Sequence, residues 1–129
     1  MVEITFYMEE PNLEIELYVD EVGKSDLMDD MSVRDRSRFI KKNEDFEKFT
    51  IFQFLKSKHI EPVKKNKGFF EVKYRFSSPP YRAVAFLCRG ILLVLLVFKG
   101  SGSDGKLKKH IGQAVNRFEN WKSRNKNYF

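Results

Sequence analysis

Apolar and polar residues alternate most cleanly over residues 13–19. Leu13, Ile15, Leu17 and Val19 fall on one side and Glu14, Glu16 and Tyr18 on the other, the period of a half-buried strand. A weaker alternation over residues 2–8 predicts a preceding strand, and Pro11-Asn12 supplies a turn through which the two can pair as a hairpin. Beyond Gly23 the period changes. Ser32 is placed to cap a helix running to about Lys42, and Asn43 to cap a second one. Phe46, Phe49, Phe52 and Leu55 recur at helical spacing, which predicts one face turned to a core.

The second half reads as strand, strand, strand, helix. Residues 69–76 alternate, with Phe70, Val72, Tyr74 and Phe76 on the core side and Glu71, Lys73 and Arg75 opposite. A basic turn, Lys64-Lys65-Asn66-Lys67-Gly68, leads in, and Ser77-Ser78-Pro79-Pro80 leads out. Residues 81–88 and 91–98 form two further strands around a tight Arg89-Gly90 turn. The second is apolar on both faces and so belongs inside a sheet. Glycines 100, 102 and 105 mark a loop, after which Leu107, Ile111, Ala114, Val115, Phe118 and Trp121 outline the apolar face of a helix starting near Asp104. The expected fold is α+β: an antiparallel sheet with two helices in the N-terminal half and a C-terminal helix, the helices packed on one face.

Composition narrows the class. The 129 residues suit a single domain spanning 1–129, and thirteen phenylalanines suit a filled core. Cys88 is the sole cysteine, which excludes an intrachain disulfide and a cysteine metal cage, and with two histidines no metal site is expected. The eight-residue apolar run at 91–98 is too short to span a bilayer, and the start of the chain does not read as a signal peptide. The expectation is therefore a cytoplasmic protein with no membrane contact. Charge is unevenly distributed. Residues 1–31 carry a net −9 and residues 32–129 a net +15. Such a basic body fits a polyanion partner, with a merely solvated surface as the plainer alternative.

Candidate chemistry follows from these placements. Same-face neighbours on a strand lie about 6–7 Å apart, so Lys73 and Arg75 can meet one phosphate or two adjacent ones. The alternative is a solvent face on which Glu71 partners Lys73. Arg82, opening the next strand, is expected near Arg75. Residues 100–106 match the G-x-x-x-x-G-K part of a phosphate-binding loop, but Leu107 stands where a magnesium-holding Ser or Thr is required. A flexible loop with Asp104 as helix cap is the simpler reading. Lys106, Lys108, Lys109 and His110 gather at the start of the last helix, where an anion would offset their conflict with the helix dipole.

Several of these segments resemble one family. Gly68-Phe69-Phe70-Glu71-Val72-Lys73 resembles the glycine–aromatic–Glu–Leu–Arg strand of the RelE/HigB toxins of bacteria and phages, in particular their phage-derived branch. Tyr81-Arg82 is similar to that family's Tyr-Arg strand start, and the apolar strand ending in Lys99 to its last strand. The resemblance covers roughly residues 13–124 and implies a RelE-like fold. It also implies the toxin of a type II toxin–antitoxin system: a metal- and cofactor-independent endoribonuclease that cuts messenger RNA on the ribosome and so inhibits translation. The 2′-hydroxyl attacks the adjacent phosphate, and basic side chains stabilise the developing charge. By position, Lys73, Arg75, Arg82 and Lys99 would be catalytic. Lys64, Lys65 and Lys67, with Lys106, Lys108 and Lys109, would hold RNA. The partners implied are a cognate antitoxin of helix-turn-helix type, messenger RNA and the ribosome.

Two departures stand out. Lys73 replaces the more usual arginine, and Gly100-Ser101-Gly102-Ser103-Asp104-Gly105 replaces a basic stretch after the last strand. They leave two alternatives open: a catalytically inactive RNA- or partner-binding module on the same fold, or a gyrase-inhibiting relative, since fold does not fix function.

Overall fold

The structure, a computed structural model, describes residues 11–100 and 104–128, with 104–106 and 128 described by their backbone alone. The strand expected over residues 2–8 lies outside the described residues, as do 101–103 of the glycine loop. The order is β1 (Glu14–Leu17), α1 (Val33–Phe46), α2 (Ile51–Leu55), β2 (Ile60–Pro62), β3 (Phe69–Tyr74), β4 (Tyr81–Cys88), β5 (Ile91–Lys99) and α3 (Asp104–Arg124), then a short 3-10 turn, Lys126–Tyr128. The α+β class is as expected.

The five strands form one sheet in the order β1-β5-β4-β3-β2. β2 to β5 are antiparallel neighbours, while β1 runs parallel to β5, from Glu14 opposite Ile91 to Leu17 opposite Val94. The sheet is therefore mixed rather than wholly antiparallel. Three backbone positions set its register. Arg89 and Gly90 both have positive φ, 49° and 86°, the geometry of the two-residue turn that matches strand twist. Gly68 has φ 89°, and a Cβ there would stand 2.5 Å from the Phe86 ring, so only glycine fits at the entry to β3. An irregularity between Val84 and Ala85 sets Leu96 opposite Val84 and Val94 opposite Ala85, leaving Leu95 as an extra residue in β5.

The sheet is covered on both sides, which corrects the one-face expectation. On one side α1 and α2 bring Phe39, Phe46 and Phe54 against Val72, Tyr74, Ala83, Ala85, Leu92 and Val94. On the other, α3 brings Ala114, Phe118 and Trp121 against Phe69, Val84, Leu93 and Leu95. The physical reason lies in β4 and β5, which carry apolar side chains on both faces and need two covers. The same cause moves a prediction just past β1. Tyr18, not Val19, is buried, because α3 covers it and Asn120 accepts its hydroxyl at 3.1 Å.

Two helix expectations also change. Ser32 caps α1 as expected, its Oγ accepting from the Asp35 amide at 3.1 Å. The helix continues past Lys42 to Phe46, so Asn43 is interior rather than a cap. It is buried, and its Oδ1 accepts the Tyr74 hydroxyl at 2.9 Å. α2 is capped instead by Thr50 in a reciprocal box with Gln53. The break between the helices shifts their phase. Phe46 and Phe54 face the core, while Phe52 and Leu55 are exposed. β2 has no counterpart among the expectations: it is three residues long, and its Pro62 suits a sheet edge.

Candidate functional site

On the α3 side, β2, β3 and β4 place four charged side chains next to one another. Lys73 and Arg82 are direct cross-strand partners, and so are Glu61 and Glu71. Diagonal neighbours on adjacent strands are within reach of long side chains, and the ion pairs follow those diagonals. Arg82 donates from Nε and Nη2 to a single Glu71 oxygen, Oε1, at 2.9 and 2.5 Å. The two side chains are only 15% and 6% exposed. Lys73 Nζ lies 3.3 Å from Glu61 Oε1, nearer solvent. The reading in which Glu71 partners Lys73 is thus corrected. Glu71 takes Arg82, and Glu61, on the strand that the sequence pattern did not reveal, takes Lys73.

The remaining expected catalytic residues have other partners. Arg75 follows the end of β3, and its Nη2 donates to the Lys58 carbonyl at 2.9 Å. Lys99 closes β5, opposite Tyr81, with its ammonium 5.3 Å from the Tyr81 ring centroid. It borders a cleft of about 300 Å³ shared with Asp26, Asp30, Tyr81 and His110. Tyr81 donates its hydroxyl to Asp35 Oδ2 at 2.9 Å. Burial first, and the Asp35 carboxylate second, raise the pKa of that phenol. The register therefore brings Lys73 and Arg82 together, while Arg75 bonds the Lys58 carbonyl and Lys99 meets the Tyr81 ring.

A groove of about 590 Å³ lies beside the charged array. Glu61 and Glu71 line it, with Leu107 and Ile111 of α3 as its apolar wall and Lys64, Lys65 and Lys108 as basic contributions from two elements. Lys67 and Lys109 are exposed in the same turn and helix without lining the groove. The side chain of Lys106 lies outside the described residues. The groove thus offers ammonium groups for phosphate oxygens and carboxylates that accept from hydroxyl or amino groups, with an apolar wall between.

Neither histidine stands in this array. His59 is enclosed by Phe46, Phe49 and Phe54, and burial first, then Lys42 and Arg75, hold its pKa below the usual value. His110 stacks on Phe98 with ring centroids 4.1 Å apart. Among the described residues there is no cluster of metal-ligating side chains, and no helix long and apolar enough to cross a membrane. Sequence reasoning missed Glu61 altogether and weighed Glu71 as a partner of Lys73 rather than of Arg82. The available signal was the Glu71–Lys73 alternation, but the choice of partner depends on strand register. Compared with protein-family models and with curated protein sequences, the chain has no match.

Proposed function

We propose that the protein is a RelE-like toxin, a metal-independent endoribonuclease that cuts messenger RNA on the ribosome in the cytoplasm, held in check by an antitoxin. The observation that carries this reading is the cross-strand Lys73–Arg82 pair, each member bonded to a carboxylate lining a groove that Lys64, Lys65 and Lys108 also line. A strand of RNA fits such a groove with its phosphates toward the lysines. Attack of the 2′-hydroxyl on phosphorus would form a 2′,3′-cyclic phosphate and break the P–O5′ bond, with Lys73 and Arg82 meeting the negative charge that builds and the Lys73 ammonium giving a proton to the departing 5′-oxygen. Glu61, exposed and beside Lys73, supplies a carboxylate within the same groove to accept the hydroxyl proton.

One observation favours a second reading, an RNA- or partner-binding module without cleavage. Glu71 engages the Nε and Nη2 of Arg82 in a nearly buried pair, and a guanidinium so held has less charge to offer a phosphate.

Induction in bacteria separates the two. For the nuclease, wild type arrests growth and fragments messenger RNA, and K73A/R82A does neither. Intact messages, with RNA binding retained, would leave the binding module. Arrest with broken DNA and intact messages would point to gyrase.

A further inference from the structure

A second concentration of positive charge runs along α1, on the side of the sheet away from Lys73 and Arg82. Arg38, Lys41 and Lys42 line a shallow groove of about 310 Å³ with Ser37, Asp45 and Phe76. Arg38 Nη1 donates to the Phe76 carbonyl at 3.2 Å. At the neighbouring end of β3, Arg75 is fixed in the same manner on the Lys58 carbonyl. Arg75 immediately precedes Phe76, whose carbonyl accepts from Arg38, so the two groups of cations adjoin. Among the described residues Asp45 is the one carboxylate lining the groove, and it is met by Lys41 at 3.4 Å and Lys48 at 3.6 Å in exposed pairs. A carbonyl oxygen orients a guanidinium without cancelling its charge, so Arg38 and Arg75 present oriented charge at this seam. Phe76 adds an aromatic ring to the groove, itself stacked on Tyr81 with centroids 5.5 Å apart. Cations tracking a backbone beside a fixed aromatic ring are the elements of single-strand recognition.

We propose that the seam between α1 and the end of β3 is a second nucleic-acid contact, taking the phosphodiester backbone of a single strand across Arg38, Lys41, Lys42 and Arg75 with one base against Phe76. This contact does not depend on whether the α3 side of the sheet cleaves RNA. An acidic peptide would satisfy the charge but would leave the ring unused.

Fluorescence anisotropy with an end-labelled single-stranded RNA of about a dozen nucleotides tests it. R38Q/K41Q/K42Q should weaken binding about tenfold at low salt and lower the slope of log affinity against log salt by about 2, three lost phosphate contacts at about 0.7 each. R38K/K41R/K42R, which keeps the charge, should keep the slope, and the unfolding midpoint of each variant shows that it folds. F76L should lose binding several-fold, because stacking needs the ring. DNA of the same sequence binding equally well identifies the shared backbone as the ligand, whereas a preference for RNA that the triple glutamine variant abolishes identifies RNA. Unchanged affinity and salt slope in R38Q/K41Q/K42Q would overturn the proposal, as would tight binding of a polyglutamate peptide with no binding of RNA. If the wild type binds RNA through the seam but never cleaves it, the nuclease reading fails and this one stands.

Discussion

Arg82 and Arg38 are both partly covered arginines at the margin of one sheet, yet their surroundings differ in kind. Arg82 meets a carboxylate across a strand, with Nε and Nη2 on one Glu71 oxygen, while Arg38 meets a backbone carbonyl at the end of β3. The same contrast separates Lys73, paired with Glu61, from Arg75, bonded to the Lys58 carbonyl. The Lys73–Arg82 array on the α3 side is therefore charge-paired, whereas at the α1 seam Arg38 and Arg75 rest on neutral carbonyls and Lys41 shares Asp45 with Lys48. The difference teaches that counting cations along the chain does not locate an anion site. What decides is whether each cation's partner carries a charge.

The largest test of this comparison is Glu71→Gln. Removing one member of a nearly buried pair costs about 3–5 kcal/mol, because the other charge loses its counter-charge in a site poor in water. Urea unfolding should show that loss, and E71L/R82M should recover most of it. An E71Q midpoint equal to wild type would show that the pair does not lock the sheet face. Next is Asn43→Ala, which leaves the buried Tyr74 hydroxyl without its acceptor and should cost about 1–3 kcal/mol. Adding Tyr74→Phe to that variant should return part of it.

A smaller effect is expected from pH. The pKa of His59 is lowered from 6.5, by burial first and then by Lys42 and Arg75. The unfolded chain thus takes up this proton at a higher pH than the folded one. The contribution of His59 is complete above that unfolded value and is lost as pH falls through the lower folded one. Thermal unfolding at descending pH should show the midpoint falling across this window, and H59L should flatten that part of the slope. Smallest of all, Lys73→Gln should change stability by about 0–1 kcal/mol, since its pair with Glu61 is partly solvated. Lys41→Gln on the seam should stay within about 0.5 kcal/mol. Chemical denaturation of the two variants side by side checks both. A large loss in K73Q would make the Lys73–Glu61 pair structural.

Much of the fold was legible in the chain because local pattern carries it. Ser32 marked its helix start, Arg89-Gly90 its turn, and Ala114, Phe118 and Trp121 the buried stripe of α3. The errors fall where local pattern is silent. Asn43 has the chemistry of a cap, but Tyr74 gives its side chain a partner inside the core. Phe52 keeps helical spacing with Phe46, but the four residues between α1 and α2 break the phase. Within the candidate site, the sequence pattern put Lys73 and Arg82 on neighbouring strands. It did not show that Glu61 and Glu71 are paired with them, nor that Arg75 turns toward Lys58.

By itself the sequence determined which residues alternate, where the first and last helices begin and that most of the chain is basic, since each is a property of neighbours a few positions apart. The tertiary structure decided the parallel placement of β1, the covering of both sheet faces and the partner of every cation discussed above. Glu71 and Arg82 are eleven residues apart and meet only because β3 and β4 pair in one register. A shift of one residue would turn either side chain to the other face of the sheet. Which charges remain unneutralised on the folded surface is therefore set by register and helix packing.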